Sequence, residues 1–148
     1  MKVKVIHPSF VTQFPPIFEE GELYISEEFE TAAHLCCCGC GEKVITPLNP
    51  AKWQIRKEGG SVSMTPSIGN WKFACQSHYW IRQNQVFDAG SFDAKKIEAV
   101  KRRDRSDMDQ YIKEIAETSR GRAEPTNAPP SSQTGFFVWL KKLFGFKL

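Results

Sequence analysis

At 148 residues the chain has room for one domain with a real core plus a modest appendage. Its 41% hydrophobic and 25% charged shares are those of an ordinary soluble globular protein, and a net charge of +3 makes no bulk demand for nucleic acid or an anionic membrane. No run approaches the roughly 20 apolar residues that span a bilayer, which sets aside a transmembrane protein.

The N-terminal "MKVKVIHPSFV" alternates charged and apolar residues and reads as a strand, without the apolar run and small-residue cleavage site of a signal peptide. These features place the chain in the cytoplasm, where thiols stay reduced. An odd count of five cysteines agrees, because it does not close into a pure disulfide framework.

Short β-like runs then alternate with turn residues. "GELYIS" places Leu23 and Ile25 on one face of a strand, and "EKVITPL" is β-branched up to Pro47. "WQIRKEGGSVSMTPSI" reads as a hairpin turning at Gly59-Gly60, with Val62, Met64 and Ile68 on one face. "HYWIRQNQVFDA" reads as a second hairpin about Gln83-Asn84. Residues 1–90 thus form a small, mainly β domain.

Composition changes near Gly90. Residues 91–121 carry good helix formers behind a capping Ser91, with apolar positions interrupted across "KRRDRSD", so one long helix or two short ones are expected, ending at Gly121. The basic "KKIEAVKRRDR" run is interleaved with Glu98, Asp104, Asp107 and Asp109. That mixing marks a solvated helix face and makes nucleic acid an unlikely partner. Residues 122–134 are Pro/Ser/Asn-rich and read as a flexible linker. Residues 135–148, "GFFVWLKKLFGFKL", are dense in aromatics and lysines. As a helix they are about 20 Å long, suited to a membrane interface or a protein groove rather than to crossing a bilayer.

The chemistry is concentrated in two stretches. "HLCCCGCGEKV" holds Cys36, Cys37, Cys38 and Cys40 behind His34, and "KFACQSHYW" holds Cys75 and His78. Zinc takes four soft or borderline ligands, usually as two close groups from separate segments, and Gly39 and Gly41 permit tight turns around an ion. Alternation along an extended strand puts Cys36, Cys38 and Cys40 on one side and Cys37 on the other. The expected Zn2+ ligands come from Cys36, Cys38, Cys40, Cys75 and His78, with "CQSH" forming a knuckle-like turn and Cys37 a bystander.

Beside the second group lie Ser67, Asn70, Trp71, Ser77 and Tyr79. A nucleophilic arrangement of serine, histidine and asparagine can be drawn from them, but no G-x-S-x-G elbow is present. The plainer reading makes Gly69-Asn70 a turn, Trp71 a packing residue and Ser77 a cap of the knuckle. His34 reads as a packed strand residue, with a proton-handling role beside the metal as the alternative.

Together "LYIS", "AAHLCCCGCGEKVITPL", "PSIGNWKFACQSHYWI" and "VFDA" resemble a small bacterial family catalogued as a domain of unknown function, over roughly residues 8–90. Members of that family are often encoded beside ubiquitin-like proteins and their activating and conjugating enzymes, in regions associated with phage defence. The resemblance marks His34, Cys36, Cys38, Cys40, Cys75, Ser77 and His78. It implies metal binding and a peptidase role. The candidate catalytic residues are His34 and Ser77, with a carboxylate such as Glu42 as the alternative to His34 for handling the proton.

The fold expected is a mainly β, zinc-ribbon-like domain with a C-terminal helical extension. Two functions stay open. One is a metal-dependent peptidase that processes or removes a ubiquitin-like protein; the other is a non-catalytic, zinc-stapled adaptor for a conjugation partner. The partners implied are a ubiquitin-like protein or its activating and conjugating enzymes.

Overall fold

The structure, a computed structural model, describes Met1–Gly121. The expected linker at 122–134 and amphipathic tail at 135–148 lie outside the described residues. Contacts divide the chain into two units, Met1–Glu114 and Ile115–Leu148, and of the second the described part is the end of one helix.

Eight strands build two sheets. The first runs β1 (His7–Phe10), β2 (Glu22–Ser26), β3 (Thr31–Leu35), β4 (Lys43–Pro47), in that spatial order. β1 pairs parallel with β2, and the remaining pairs of this sheet are antiparallel. The second sheet is an antiparallel meander of β5 (Gln54–Glu58), β6 (Ser61–Gly69), β7 (His78–Arg82) and β8 (Gln85–Asp88). A single helix, α1 (Ala94–Gly121), follows.

Both expected hairpins form. Gly59 and Gly60 take φ of 53° and 81° between the paired Glu58 and Ser61. Gln83 and Asn84 take 48° and 65° between Arg82 and Gln85. Two consecutive left-handed residues match the twist of the flanking strands. The amide oxygen of Asn84 also accepts from the Val62 N–H at 2.8 Å, so the second turn is held by the neighbouring strand.

The core lies between the sheets. Leu23, Ile25 and Val44 of the first sheet meet Val62, Met64, Ile68, Tyr79 and Ile81 of the second. Full burial of each such apolar side chain contributes about 1.5–3 kcal/mol. Tyr24, on the other face of β2, is buried as well, because the Phe18 ring covers it at 5.0 Å and its hydroxyl accepts from the Glu19 N–H.

Two details differ from expectation. Residues 2–6 run beside β8 and the thiol loop rather than forming a full strand, tied by Val86 N–H to Lys4 O and Val3 N–H to Cys37 O. Asp93, not Ser91, caps the helix: its carboxylate accepts from the Lys96 N–H at 2.8 Å and its carbonyl from the Ile97 N–H. The helix is continuous through the charged run. Among the described residues no helix is long and apolar enough to cross a membrane.

Candidate functional site: a thiol cluster beside a serine–histidine pair

The β3–β4 loop and the β6–β7 loop, one from each sheet, meet at a corner of the core. The sulfurs of Cys36, Cys38, Cys40 and Cys75 all lie within 4.8 Å of one another there. Cys36 to Cys38 is 3.4 Å, Cys40 to Cys75 is 3.7 Å and Cys36 to Cys75 is 4.0 Å. Four sulfurs about 2.3 Å from one zinc at tetrahedral corners sit about 3.8 Å apart. The donor set therefore fits a thiophilic ion.

The route to this geometry is a turn, not the extended strand expected. β3 ends at Leu35, Gly39 adopts φ +89°, and its N–H closes back on Cys36 O at 2.9 Å. On the other side, Phe73 N–H to Asn70 O and Gln76 N–H to Phe73 O wind residues 70–77 into the knuckle that presents Cys75. Cys37 stays out of the cluster. It is fully buried, and burial pushes its thiol up to about 12.

Crowded thiols cannot all ionise without a cation. Burial and hydrogen bonding with Cys40 and Cys36 push Cys38 up to about 12. At Cys75 burial also opposes ionisation, but hydrogen bonds from the Ser77 hydroxyl and N–H, then from Cys38 and Cys40, outweigh it and bring the thiol down to about 7.

Ser77 and His34 sit behind the cluster. Asn70 Nδ2 donates to Ser77 Oγ at 2.9 Å, and Ser77 Oγ lies 3.0 Å from Cys36 Sγ and 3.5 Å from Cys75 Sγ. Tyr79 Oη lies 3.4 Å from Asn70 Nδ2 and 2.8 Å from His34 Nε2. His34 is fully buried, and burial lowers its pKa to about 4, so the ring is neutral. Together these groups form a buried polar chain that runs from His34 through Tyr79 and Asn70 to Ser77 and the Cys36 sulfur.

His78 lies outside the cluster, with both ring nitrogens committed. Nε2 is 2.8 Å from Ser67 Oγ and Nδ1 is 3.1 Å from the Gly90 carbonyl. A carbonyl only accepts, so Nδ1 carries the proton and Nε2 is the acceptor for the Ser67 hydroxyl. The result is a hydroxyl, a base and an orienting acceptor in line.

The strands explain why these groups meet. Ile68 and Tyr79 pair across β6 and β7 and are buried in the core, so Ser67, Gly69 and His78 take the outer face. Gly69 pairs with His78, which puts Ser67 diagonally across from the imidazole, beside a register shift between Met64 and Ile68. Gly90, at φ +77°, is held by the Asp88 carboxylate accepting its N–H at 2.8 Å.

Aromatic rings enclose the pair. Trp71 stacks on Phe92 with centroids 5.4 Å apart, and the His78 ring lies 5.0 Å from Trp71 and 4.6 Å from Phe92. Trp71 crosses so close to Gly69 that a Cβ there would meet the indole at 2.3 Å, which is why a glycine stands opposite the histidine. The cleft so formed is about 550 Å³ and is walled in part by Trp53, Trp80 and residues Val100, Arg103 and Asp104 of α1. Lys52 Nζ donates to Asp104 O, tying the loop before β5 to the helix.

Ser67 was visible in the sequence as one of several polar residues. The usable signal was strand alternation, which sets Ser67 and Gly69 on one face across from His78. Gly90 had no comparable signal, because it acts through its backbone, and Phe92 none either.

A two-sheet β protein with a four-thiol corner and a serine–histidine pair in a cleft defines a class by chemistry. Residues 10–88 match the family model described as bacterial ubiquitination-like system serine protease (BubE), and the chain belongs to that family. No curated protein and no solved structure matches the chain.

Proposed function

We propose that the chain is a serine peptidase that processes or removes a ubiquitin-like protein, with Ser67 as nucleophile and His78 as general base. The observation that carries this reading is the Ser67–His78–Gly90 alignment. Ser67 Oγ attacks the scissile carbonyl while His78 Nε2 takes its proton, and the Gly90 carbonyl holds the imidazole in the tautomer that can accept it. His78 then delivers the proton to the leaving amine, and water, deprotonated by the same nitrogen, hydrolyses the acyl-serine. Trp71 and Phe92 limit water around the imidazole and fix its orientation. The nucleophile in this mechanism is the serine in place of a metal-activated water, and His34 and Ser77 support the thiol corner.

The thiol corner fits Zn2+ best, since four thiolates in tetrahedral array are typical of structural zinc. Zinc bound there staples the β3–β4 loop to the β6–β7 loop in a zinc-ribbon-like clasp and contributes folding energy. The chain's own residues 1–90 carry both sites, with Val100, Arg103 and Asp104 of the 91–121 helical segment as a wall. The partner expected is a ubiquitin-like protein or an enzyme that activates or conjugates it.

The test is a fluorophosphonate probe, which labels activated serines, together with cleavage of a ubiquitin-like fusion. Labelling at Ser67, and loss of both signals in Ser67→Ala with zinc content unchanged, is the expected result. Undiminished cleavage by Ser67→Ala overturns the mechanism. No labelling and no cleavage by the zinc-loaded wild type favours the adaptor reading, which a closed four-thiol site also suits.

A further inference from the structure

A second cavity adjoins the cleft. It is about 230 Å³ and shares Trp53, Gly69 and Trp71 with the cavity that holds Ser67 and His78. Its remaining walls include Ile45, Ile68 and Phe73, and two cations, Lys72 and Lys101, also line it. A cavity of about 150 Å³ accepts a benzene ring, so this one has room for a leucine, isoleucine or phenylalanine side chain.

Two observations point to an occupant. Ile45 keeps 62% of its surface exposed, an apolar side chain left at the edge of an apolar hollow. Second, two lysines beside an apolar hollow favour an acidic neighbour on whatever enters it.

We infer that this pocket is a substrate subsite: it takes a bulky apolar side chain of a polypeptide whose scissile bond lies at Ser67, next to an acidic residue held by Lys72 and Lys101. The inference rests on the serine-peptidase reading. A chain running from the pocket past Trp53 into the cleft places the scissile carbonyl at Ser67. Specificity then comes from a remote anchor, whose binding energy orients the reacting bond.

The experiment uses the full zinc-loaded chain and fluorogenic peptide amides. Leucine is placed in turn at each of the four residues before the scissile bond, with alanine elsewhere. One position is expected to raise kcat/KM about tenfold to a hundredfold over alanine. Aspartate next to that leucine is expected to raise it further, and Lys72→Ala with Lys101→Ala to cancel the gain. Ile45→Asp is expected to bring the leucine preference below about threefold, and Ile45→Leu to keep it. Thermal melts of the Ile45 variants control for folding.

A preference that survives Ile45→Asp in a folded protein overturns the subsite. So do uniform rates, or no peptide cleavage, in a protein whose Ser67 reacts with fluorophosphonate. An unreactive Ser67 in the wild type is a different failure: it removes the peptidase reading and this inference with it.

Discussion

The β6–β7 connection carries two polar sites that differ in how they are held. At its tip, Cys75 joins three cysteines of the other sheet, and the sulfurs are poised for an ion that ties two loops together. At its base, Ser67 and His78 face each other across paired strands, held by register and by rings above them. The tip depends on ligand chemistry and the base on strand geometry. Asn70 and Ser77, on the same connection, bond to the thiol corner, while Trp71 turns toward the imidazole. One short connection thus reaches both sites, so an ion bound at the tip would also steady the distance at the base.

The sharpest way to break this comparison is Ser67→Ala. It is expected to lower kcat by about 10³-fold or more while zinc stoichiometry, measured by elemental analysis, stays at one per chain. Cys75→Ser should do the reverse in order: zinc is lost first, and activity follows because the loop loosens. The readouts are zinc content and a Tm drop of at least about 4–8 °C, since even 1 kcal/mol shifts a domain of this size by a few degrees. Retained activity after zinc loss separates the two sites and breaks the coupling.

Ser77→Ala tests which serine does what. The geometry assigns Ser77 to Cys36 and Cys75, so its loss should weaken zinc binding about 10- to 100-fold in chelator competition, with only partial loss of cleavage. A loss as deep as that of Ser67→Ala would reassign the nucleophile. Gly69→Ala is smaller again. Its new Cβ meets the Trp71 indole and must displace it, so about tenfold lower activity with intact zinc is expected. The mildest change is Cys37→Ala, which removes a buried sulfur outside the cluster. We expect about 1 kcal/mol of destabilisation by thermal melt and no change in zinc content.

Much of the fold was legible. Turn chemistry gave both hairpins, because Gly59-Gly60 and Gln83-Asn84 occupy left-handed conformations at their expected places. The period-2 pattern gave the inward face of β6. Less legible was the helix cap, where Ser91 and Asp93 both suit the role and only the chain's path out of the Gly90 turn selects Asp93. Cysteine density announced the thiol corner, yet the reason that Cys36, Cys38 and Cys40 converge is a left-handed Gly39, not an extended strand.

What the sequence by itself determined is local: a mainly β chain, its turns, and a concentration of thiols too dense for ordinary packing. Composition and short-range periodicity carry that information because each depends on neighbours in the chain. Where each histidine lies was decided only in three dimensions. His34 and His78 look alike as strand residues beside cysteines. His34 on β3 is buried against Tyr79, whereas His78 on β7 faces outward to Ser67 and the carbonyl of Gly90. That difference comes from the register of paired strands and from a backbone group twelve residues away, neither of which a residue's own identity can specify.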